Sequence, residues 1–365
     1  MQVNAIKVGE LPDFVSGSIW QKLSPKPVTL LRAVSQFHNP RANANDLALI
    51  IAHENNQLLG LVGLLPDYIH GEPDLPVSSN TCWWADPEKG RQIALPLFLR
   101  AFALCNQRMF MTDCTPHTIS ILRKTNWFDF PEMHPGIRGF LKFNFQEVIP
   151  QKVPRLQLLK PLLKVADTLL NFSFLPFHYF CRVRFSERHL KTEFVSKMEL
   201  ELHQFITSHS ASEFVRRSVI ELEWILQFPW IRQKTGEKNE NHVDYPFSHM
   251  VRSFEQYVLK ISEGNKTVGV IMISIRDGYM KVPYAYMEKE NAVKVLQVIY
   301  QQALQKNATT LTVFHPELAE EMQRGKHPFI FRKKIRRLVA ISKTLTKLHQ
   351  KYSRLQDGDG DMVFT

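Results

Sequence analysis

Cys82-Trp83-Trp84-Ala85-Asp86-Pro87-Glu88-Lys89-Gly90-Arg91-Gln92-Ile93-Ala94-Leu95-Pro96-Leu97 is the stretch on which the fold turns. It passes from an apolar strand, through a turn with one glycine and two cations, into a helix expected over Ile93 to Asn106. The apolar run Leu58 to Ile69 precedes it. A short strand, Arg108 to Asp113, follows, and then a helix-forming stretch from Thr115 that ends on Trp127-Phe128. Strand, basic loop, helix, strand, helix is an order that can hold a pyrophosphate against a helix N-terminus. The first helical turn leaves N–H groups unpaired, and the macrodipole adds partial positive charge there. Lys89 and Arg91 add two full charges. The dipole alone is worth roughly 0.3–1 kcal/mol at an exposed site, so charges and donated hydrogen bonds would carry most of the binding.

Order and local sequence together resemble the GNAT (GCN5-related N-acetyltransferase) superfamily, whose loop reads Arg/Gln-x-x-Gly-x-Gly/Ala. Here Lys89 takes the first place, Gln92 the usual first glycine and Ala94 the last. Thr115, Thr118, Ile121, Leu122, Lys124, Asn126 and Trp127 stand at the places of the family's second helix motif. The chain departs from the pattern at Gln92, which puts a side chain where the backbone approaches phosphate. It departs again at Leu122, where the family often has a tyrosine that protonates the departing thiolate.

The resemblance implies an α/β (α+β mixed-sheet) fold and acetyl-CoA or another acyl-CoA as co-substrate. Lys89, Gly90, Arg91, Gln92, Ile93 and Ala94 would hold the pyrophosphate, and the Trp84 or Ala85 N–H would face the thioester carbonyl. Glu54, Asp86 and His117 are the candidate catalytic bases by proximity in this topology. Each also has a structural reading: a hairpin tip for Glu54, a turn or helix cap for Asp86, a first-turn helix residue for His117.

At 365 residues the chain has room for two domains. A net charge of +11 suits an anionic partner: CoA phosphates, a nucleotide-linked substrate, a membrane surface or nucleic acid. Cys82, Cys105, Cys114 and Cys181 lack metal-ligand spacing. With no signal peptide at Met1-Gln2-Val3-Asn4, they point to a reducing cytoplasm. No apolar run approaches the ~20 residues of a membrane span.

Taken in order, residues 1–45 read as a loop-rich entry, with a helix at Leu11 to Trp20 and a strand at Val28 to Val34. Asp46 to Glu54 and Gln57 to Leu65 form a hairpin, and Pro66 to Asn80 a loop before the strand Ser79 to Ala85. Trp83 and Trp84 should face opposite sides of that strand. Gly139 to Glu147 should close the first sheet, so that 1–147 forms one lobe.

Residues 148–195 form a connector in which Lys152, Arg155, Lys160 and Lys164 punctuate a leucine-rich run, followed by an aromatic stretch to Phe180. The favoured reading is an interdomain helix with its apolar side against both lobes. The other is contact of 152–181 with an anionic membrane surface, which would place the protein peripherally at the inner membrane face and suit a lipid-linked acceptor.

Residues 196–345 repeat the order of the first half. Glu213 to Gln227 is helical, Phe254 to Met287 holds three strands, and Asn291 to Lys306, Thr309 to Phe314 and Pro316 to Arg324 follow as helix, strand and helix. Phe329 to Ser342 is extended and basic. Met287-Glu288-Lys289-Glu290 replaces the basic loop and would repel a pyrophosphate, so one CoA site is expected. The fold expected is therefore two GNAT-like acyltransferase lobes in tandem, the second degenerate.

The tail over 346–365 includes Asp357-Gly358-Asp359-Gly360-Asp361, which mimics the opening of a calcium loop. Met362 stands where that loop needs glycine, so a turn or a tucked strand end is expected and no metal. The Trp224 to Trp230 segment and the tail also resemble those of bacterial GNAT-like proteins linked to surface-polysaccharide synthesis.

The function implied is direct acyl transfer from acyl-CoA to an amine, an amino sugar or another precursor of a cell-surface polymer. Two alternatives stay open: aminoacyl or peptidyl transfer as in FemABX-like tandem GNAT proteins, and a GNAT-like scaffold that binds without chemistry. Lys333, Lys334, Arg336 and Arg337 form a basic run, but no nucleic-acid reader motif accompanies it, and it reads as a solvated face or phosphate wall. No Walker-type loop, paired-histidine metal motif or recognisable Cys–His arrangement around Cys114 is present.

Overall fold

The computed structural model describes residues 1–71, 73–185, 189–195, 199–234 and 243–364. The chain divides into two compact units: Met1–Met133 with Lys197–Phe254 and Arg337–Thr365, and His134–Ser196 with Glu255–Arg336.

The first unit opens with β1 (Gln2–Lys7), three short helices α1 (Leu11–Ser16), α2 (Ser18–Lys22) and α3 (Leu30–Phe37), and the hairpin β2 (Leu47–Glu54) and β3 (Gln57–Ile69). Then come β4 (Leu75–Ala85), α4 (Ala94–Leu104), β5 (Met109–Met111), α5 (Pro116–Thr125) and β6 (Phe128–Asp129). The chain enters the second unit with β7 (Gly136–Phe140), α6 (Phe145–Lys152), α7 (Lys160–Ser173), α8 (Leu175–Arg184) and β8 (Leu190–Phe194). It returns to the first unit for α9 (Leu200–His209), α10 (Val219–Gln227) and the short parallel pair β9 (Arg232–Gln233) and β10 (Met250–Val251). The second unit resumes with β11 (Phe254–Glu263), β12 (Lys266–Arg276), β13 (Tyr279–Met287), α11 (Ala292–Gln305), β14 (Thr310–Val313), α12 (Pro316–Arg324) and β15 (Phe331–Ile335). Finally β16 (Ala340–Ser342) and α13 (Thr346–Lys351) belong to the first unit again.

Each unit is built on a mixed seven-stranded sheet, with strand orders β1-β2-β3-β4-β5-β16-β6 and β15-β7-β14-β13-β12-β11-β8. Local chemistry explains the antiparallel parts. Asn55 and Asn56 take left-handed φ of 50° and 63° at the β2–β3 turn, and Asp277 and Gly278 take 50° and 83° at the β12–β13 turn. These are residues that tolerate such turns. In the first sheet Trp83 packs on the side of Phe98, Phe102 and Leu122, and Trp84 on the side of Leu11, Ala33 and Leu61. Strand alternation sends the two rings to opposite faces, as expected.

Several local expectations are corrected. Val28 to Val34 is not a strand: Thr29 caps α3 by accepting from the Arg32 N–H at 3.3 Å, and a helix follows. The loop expected at Pro66 to Asn80 is mostly strand, because β3 runs through Pro66 to Ile69 and pairs with Leu75–Ser79. The helix expected from Glu213 starts later, at Val219, where Ser218 and Glu221 form a reciprocal capping box.

The larger correction concerns Gly139 to Glu147. Gly136–Phe140 pairs with β14 and β15 in the second sheet, and 145–152 is helical. The first sheet is closed by β16, which pairs with β5 and β6. Residues 148–185 belong to the second compact unit, and the tail is part of the first unit's core, with Asp359 and Phe364 fully enclosed. Gln233 to Pro246 is a polar stretch in which a loop is expected, and residues 235–242 of it lie outside the described residues.

Candidate active site

The site begins at an irregularity in β4. Gly63 of β3 pairs with Cys82 and Leu64 with Asn80, so Thr81 is an extra residue on β4. Such a bulge bends and twists its strand. Asn80 stabilises it by donating to the carbonyls of Gly63 and Cys82, both at 3.1 Å. On its other edge β4 pairs with the short, parallel β5 only at Ser78–Met109 and Ser79–Phe110. Beyond those two pairs the strands part, and α5 starts where β5 has ended.

A cleft of about 330 Å³ occupies the parting. Cys82, Trp83 and Met111 line it from the strands, and Thr115 and Thr118 from the first turn of α5. Thr115 caps that helix by accepting from the Thr118 N–H at 3.1 Å. Arg32 of α3, 6% exposed, enters from the opposite side. Its guanidinium hydrogen-bonds Thr81 Oγ1, donates to Tyr245 Oη at 3.0 Å and lies 4.4 Å over the Trp230 ring. Gly63 makes this approach possible, since a Cβ there would sit 2.5 Å from Arg32 Nη2 and 2.4 Å from Cys82 Sγ.

Tyr245, His249 and Asp361 complete the wall. Burial of its hydroxyl pushes the Tyr245 pKa up to about 12, against the pull of Arg32, so the phenol stays protonated. Arg32 can only donate, so the Tyr245 oxygen accepts and its own proton remains available to a ligand. His249 Nδ1 lies 3.2 Å from the Phe247 carbonyl. A carbonyl can only accept, so a neutral His249 carries its lone pair on Nε2. Around Arg32, burial works against the charge, while Cys82, Tyr245 and Asp361 outweigh it and keep the pKa raised.

The tail closes one side of this wedge. Thr112 Oγ1 donates to the Asp359 carbonyl at 3.1 Å. Gly360, at φ +72°, sits so close that a Cβ would meet Ser79 Oγ at 2.7 Å and Thr112 Oγ1 at 2.9 Å. Phe364 then stacks on Trp230 at 4.6 Å and meets the edge of Trp224 at 4.9 Å. The Asp-Gly repeat is thus a buried strap. Among the described residues no group of three or more potential metal ligands is found.

The basic loop is held by its own contacts. The Asp86 carboxylate accepts from the N–H groups of Glu88 and Lys89 at 2.9 and 2.8 Å. Gly90 N–H donates to Asp86 O, and the N–H groups of Ile93 and Ala94 donate to Gly90 O. Gly90 has no room for a side chain: a Cβ would stand 2.1 Å from Leu59 O. Lys89 Nζ donates to Gln57 at 2.8 Å, while Arg91 and Gln92 are exposed. Five backbone donors are therefore already engaged within the loop, and Lys89 and Arg91 are its exposed cations. Trp84 and Ala85 sit upstream in the β3–β4 ladder, opposite Leu61 and Gly60.

The three residues expected as bases fall elsewhere. Glu54 is exposed and pairs with the N-terminal amine at 2.5 Å, which holds its carboxyl below the usual range. The N–H bonds from Lys89 and Glu88 do the same for Asp86. His117 is exposed on the first turn of α5. None of the three lines the cleft. Leu122 is fully buried core, and burial pushes the Cys114 thiol up to about 12, which fits a packing role for both. Arg32, Tyr245 and His249 were not singled out in the sequence, and Asp361 only as the end of the calcium-loop mimic. They come from three separate segments, α3, the stretch that holds both Tyr245 and His249, and the tail.

No protein-family model matches the sequence, and no curated protein does. Among solved structures, a GCN5-related N-acetyltransferase from Anabaena variabilis ATCC 29413 is similar over 93% of this chain and 72% of its own, with a TM-score of 0.50 and 10% identity. A probable N-acyltransferase from Enterococcus faecalis V583 is similar over 96% of this chain and 75% of its own, again with a TM-score of 0.50 and 10% identity. With its two mixed sheets and the parted β4 and β5, the chain has the fold of the GCN5-related N-acetyltransferases, as two GNAT-like lobes in tandem.

Proposed function

We propose that the protein is an acyltransferase that moves an acyl group from acyl-CoA to an amine in the cleft between β4 and β5. One observation carries this: where the two strands part, a cavity brings Arg32, Tyr245, His249 and Asp361 to the ends of β4 and β5. An acyl thioester, when bound, supplies an activated carbonyl and a thiolate leaving group. The chain's residues supply orientation and proton traffic. His249 Nε2 takes the proton from the acceptor nitrogen. Tyr245 gives its proton to the departing sulfur, the task for which Leu122 has no group. Arg32 holds Tyr245 in place, and Asp361 gives the acceptor side a negative charge that attracts an ammonium. Lys89 and Arg91 face the phosphates. The positive charge of the chain suits an acceptor that is itself anionic elsewhere, such as a nucleotide- or lipid-linked amino sugar used in a cell-surface polymer.

Calorimetry with acetyl-CoA and longer acyl-CoAs, followed by thiol-release assays with amine acceptors, tests this. Expected are binding lost in Lys89→Glu/Arg91→Glu, and turnover reduced about 10²–10⁴-fold in His249→Ala and about 10²-fold in Tyr245→Phe. Absence of binding to every acyl-CoA would favour aminoacyl or peptidyl transfer. Turnover unchanged in both cleft variants would move the chemistry away from this cleft. Inactivity of all nucleotide- and lipid-linked amino sugars would remove the acceptor class alone.

A further inference from the structure

Helix α7 turns Asp167 and Asn171 inward and leaves a stripe of apolar residues outward. Asp167, 3% exposed, accepts from the N–H groups of Phe145 and Gln146 at 2.8 and 2.9 Å and so caps α6. Asn171, one turn on, accepts from Phe143 N–H and donates to Phe143 O. Those bonds fix the rotation of the helix. They leave Leu162, Val165, Leu169 and Phe172, spaced 3, 4 and 3 residues apart, as one outward stripe that is 68%, 57%, 64% and 72% exposed. This is the reverse of an ordinary surface helix. On α8 the outward residues Leu175, Tyr179, Phe180 and Val183 extend the surface, and Leu158, ahead of α7, is 90% exposed.

Charge identifies what covers it. Between residues 148 and 185 the sequence holds six cations, Lys152, Arg155, Lys160, Lys164, Arg182 and Arg184, and a single acid, the inward Asp167. All six cations are exposed. By helical spacing, Arg182 and Arg184 flank the apolar stripe of α8. A cleft of about 540 Å³ beside these helices is lined by Lys142, Asn171, His178 and Arg182. Burial and the nearby Arg182 hold the Lys142 ammonium below its usual pKa, a cost that an entering phosphate would relieve. A second copy of this chain docked on the same surface would set cations against cations with no acid to pair them.

We propose that the α7–α8 surface docks on an anionic lipid bilayer, the Leu162–Phe172 stripe entering the interface and the cations meeting lipid phosphates. No helix among the described residues is long and apolar enough to cross a membrane, so the element lies on the bilayer.

The test is flotation of the full chain with vesicles of phosphatidylcholine alone or with phosphatidylglycerol added. Expected is binding to the anionic vesicles only, weakened by salt. Leu162→Asp/Leu169→Asp should lower it by at least about tenfold, with thermal unfolding and acyl-CoA calorimetry unchanged. Lys160→Glu/Lys164→Glu should lower binding to anionic vesicles without altering the fold. The proposal is overturned if anionic vesicles fail to bind the chain, or if the leucine variant binds as well. It is also overturned if sedimentation shows a dimer that Leu162→Asp/Leu169→Asp dissolves while vesicle binding is absent. Because α7 and α8 contribute nothing to the cleft between β4 and β5, failure here leaves the acyl-transfer proposal standing, and the reverse.

Discussion

Gly63 makes a demand on the cleft that no other residue type meets. The glycine lies on β3 opposite the bulge, and the Arg32 guanidinium passes over it to reach Thr81 and Tyr245. A methyl group there would crowd Arg32 Nη2, Cys82 Sγ and Thr81 Oγ1, the last at 3.0 Å. Gly63→Ala is therefore expected to displace Arg32 and cost about 1–3 kcal/mol, the usual range for overpacking. Urea unfolding would read the stability loss. Turnover should fall further than the stability change explains, because Tyr245 loses its support. Full turnover in a folded Gly63→Ala variant would show that Arg32 does not organise the cleft. Gly90 makes a similar demand through Leu59 O, but its effect should appear in acyl-CoA affinity, not in turnover.

Asp167 decides at the level of the element which side of α7 faces outward. Asp167→Ala removes both acceptors of the α6 cap and leaves two N–H groups without them. A loss of about 1–3 kcal/mol is expected, measured by denaturant unfolding. Asp167→Asn, which keeps one acceptor oxygen, should recover part of it. Equal stability of both variants and the parent would mean that the rotation of α7 is set by something else. The hydrophobic run of this helix was plain in the sequence, but its direction was not, since the apolar residues are nearly continuous and only the long-range bonds to Phe143, Phe145 and Gln146 select a face. Elements whose causes are local were legible: the hairpin turns at Asn55-Asn56 and Asp277-Gly278, and the span of α12 from Pro316 to Arg324. Val28–Val34 misled because its β-branched residues suggest a strand, whereas the Thr29 cap and burial of Arg32 favour helix. The cleft was legible only in part. Cys82 and Trp83 of β4 and the first turn of α5 lie in stretches singled out in the sequence, but Tyr245 and His249 reach the cleft from a segment without regular pattern and Asp361 from the tail.

Across the whole molecule, the return of the chain to its first sheet is what completes the first unit, and two consequences can be measured. The returning tail buries Asp357 and Asp359 near Asp67 and Glu213, among Arg41, Arg217 and Arg337. Burial and the Asp359 charge push the Glu213 carboxyl up to about 8, with Arg354 and Arg216 pulling the other way. Burial, with Asp67 adding to it, pushes Asp359 up to about 7 against Arg217 and Arg337. Folded pKa values above the unfolded ones mean that the folded state binds more protons, so stability present below about pH 4 is lost as pH rises through 7 to 8. At 1.36 kcal/mol per pKa unit the loss is on the order of several kcal/mol. The urea midpoint should fall between pH 5 and pH 8.5, and Glu213→Gln, which keeps the bond with Gln356, should flatten that slope. The second consequence concerns β16 itself. It lies between β5 and β6, pairing Ala340 with Met111 and Ile341 with both Phe110 and Asp129. A chain ended after Arg336 keeps every strand of the second sheet but leaves β5 with β4 alone and β6 without β16, and uncovers Trp224 and Trp230. Hydrogen exchange should then show the amides of β4 and β5 unprotected while those of β12, β13 and β14 remain slow. Retained protection in β4 and β5 would mean that the first sheet closes without β16.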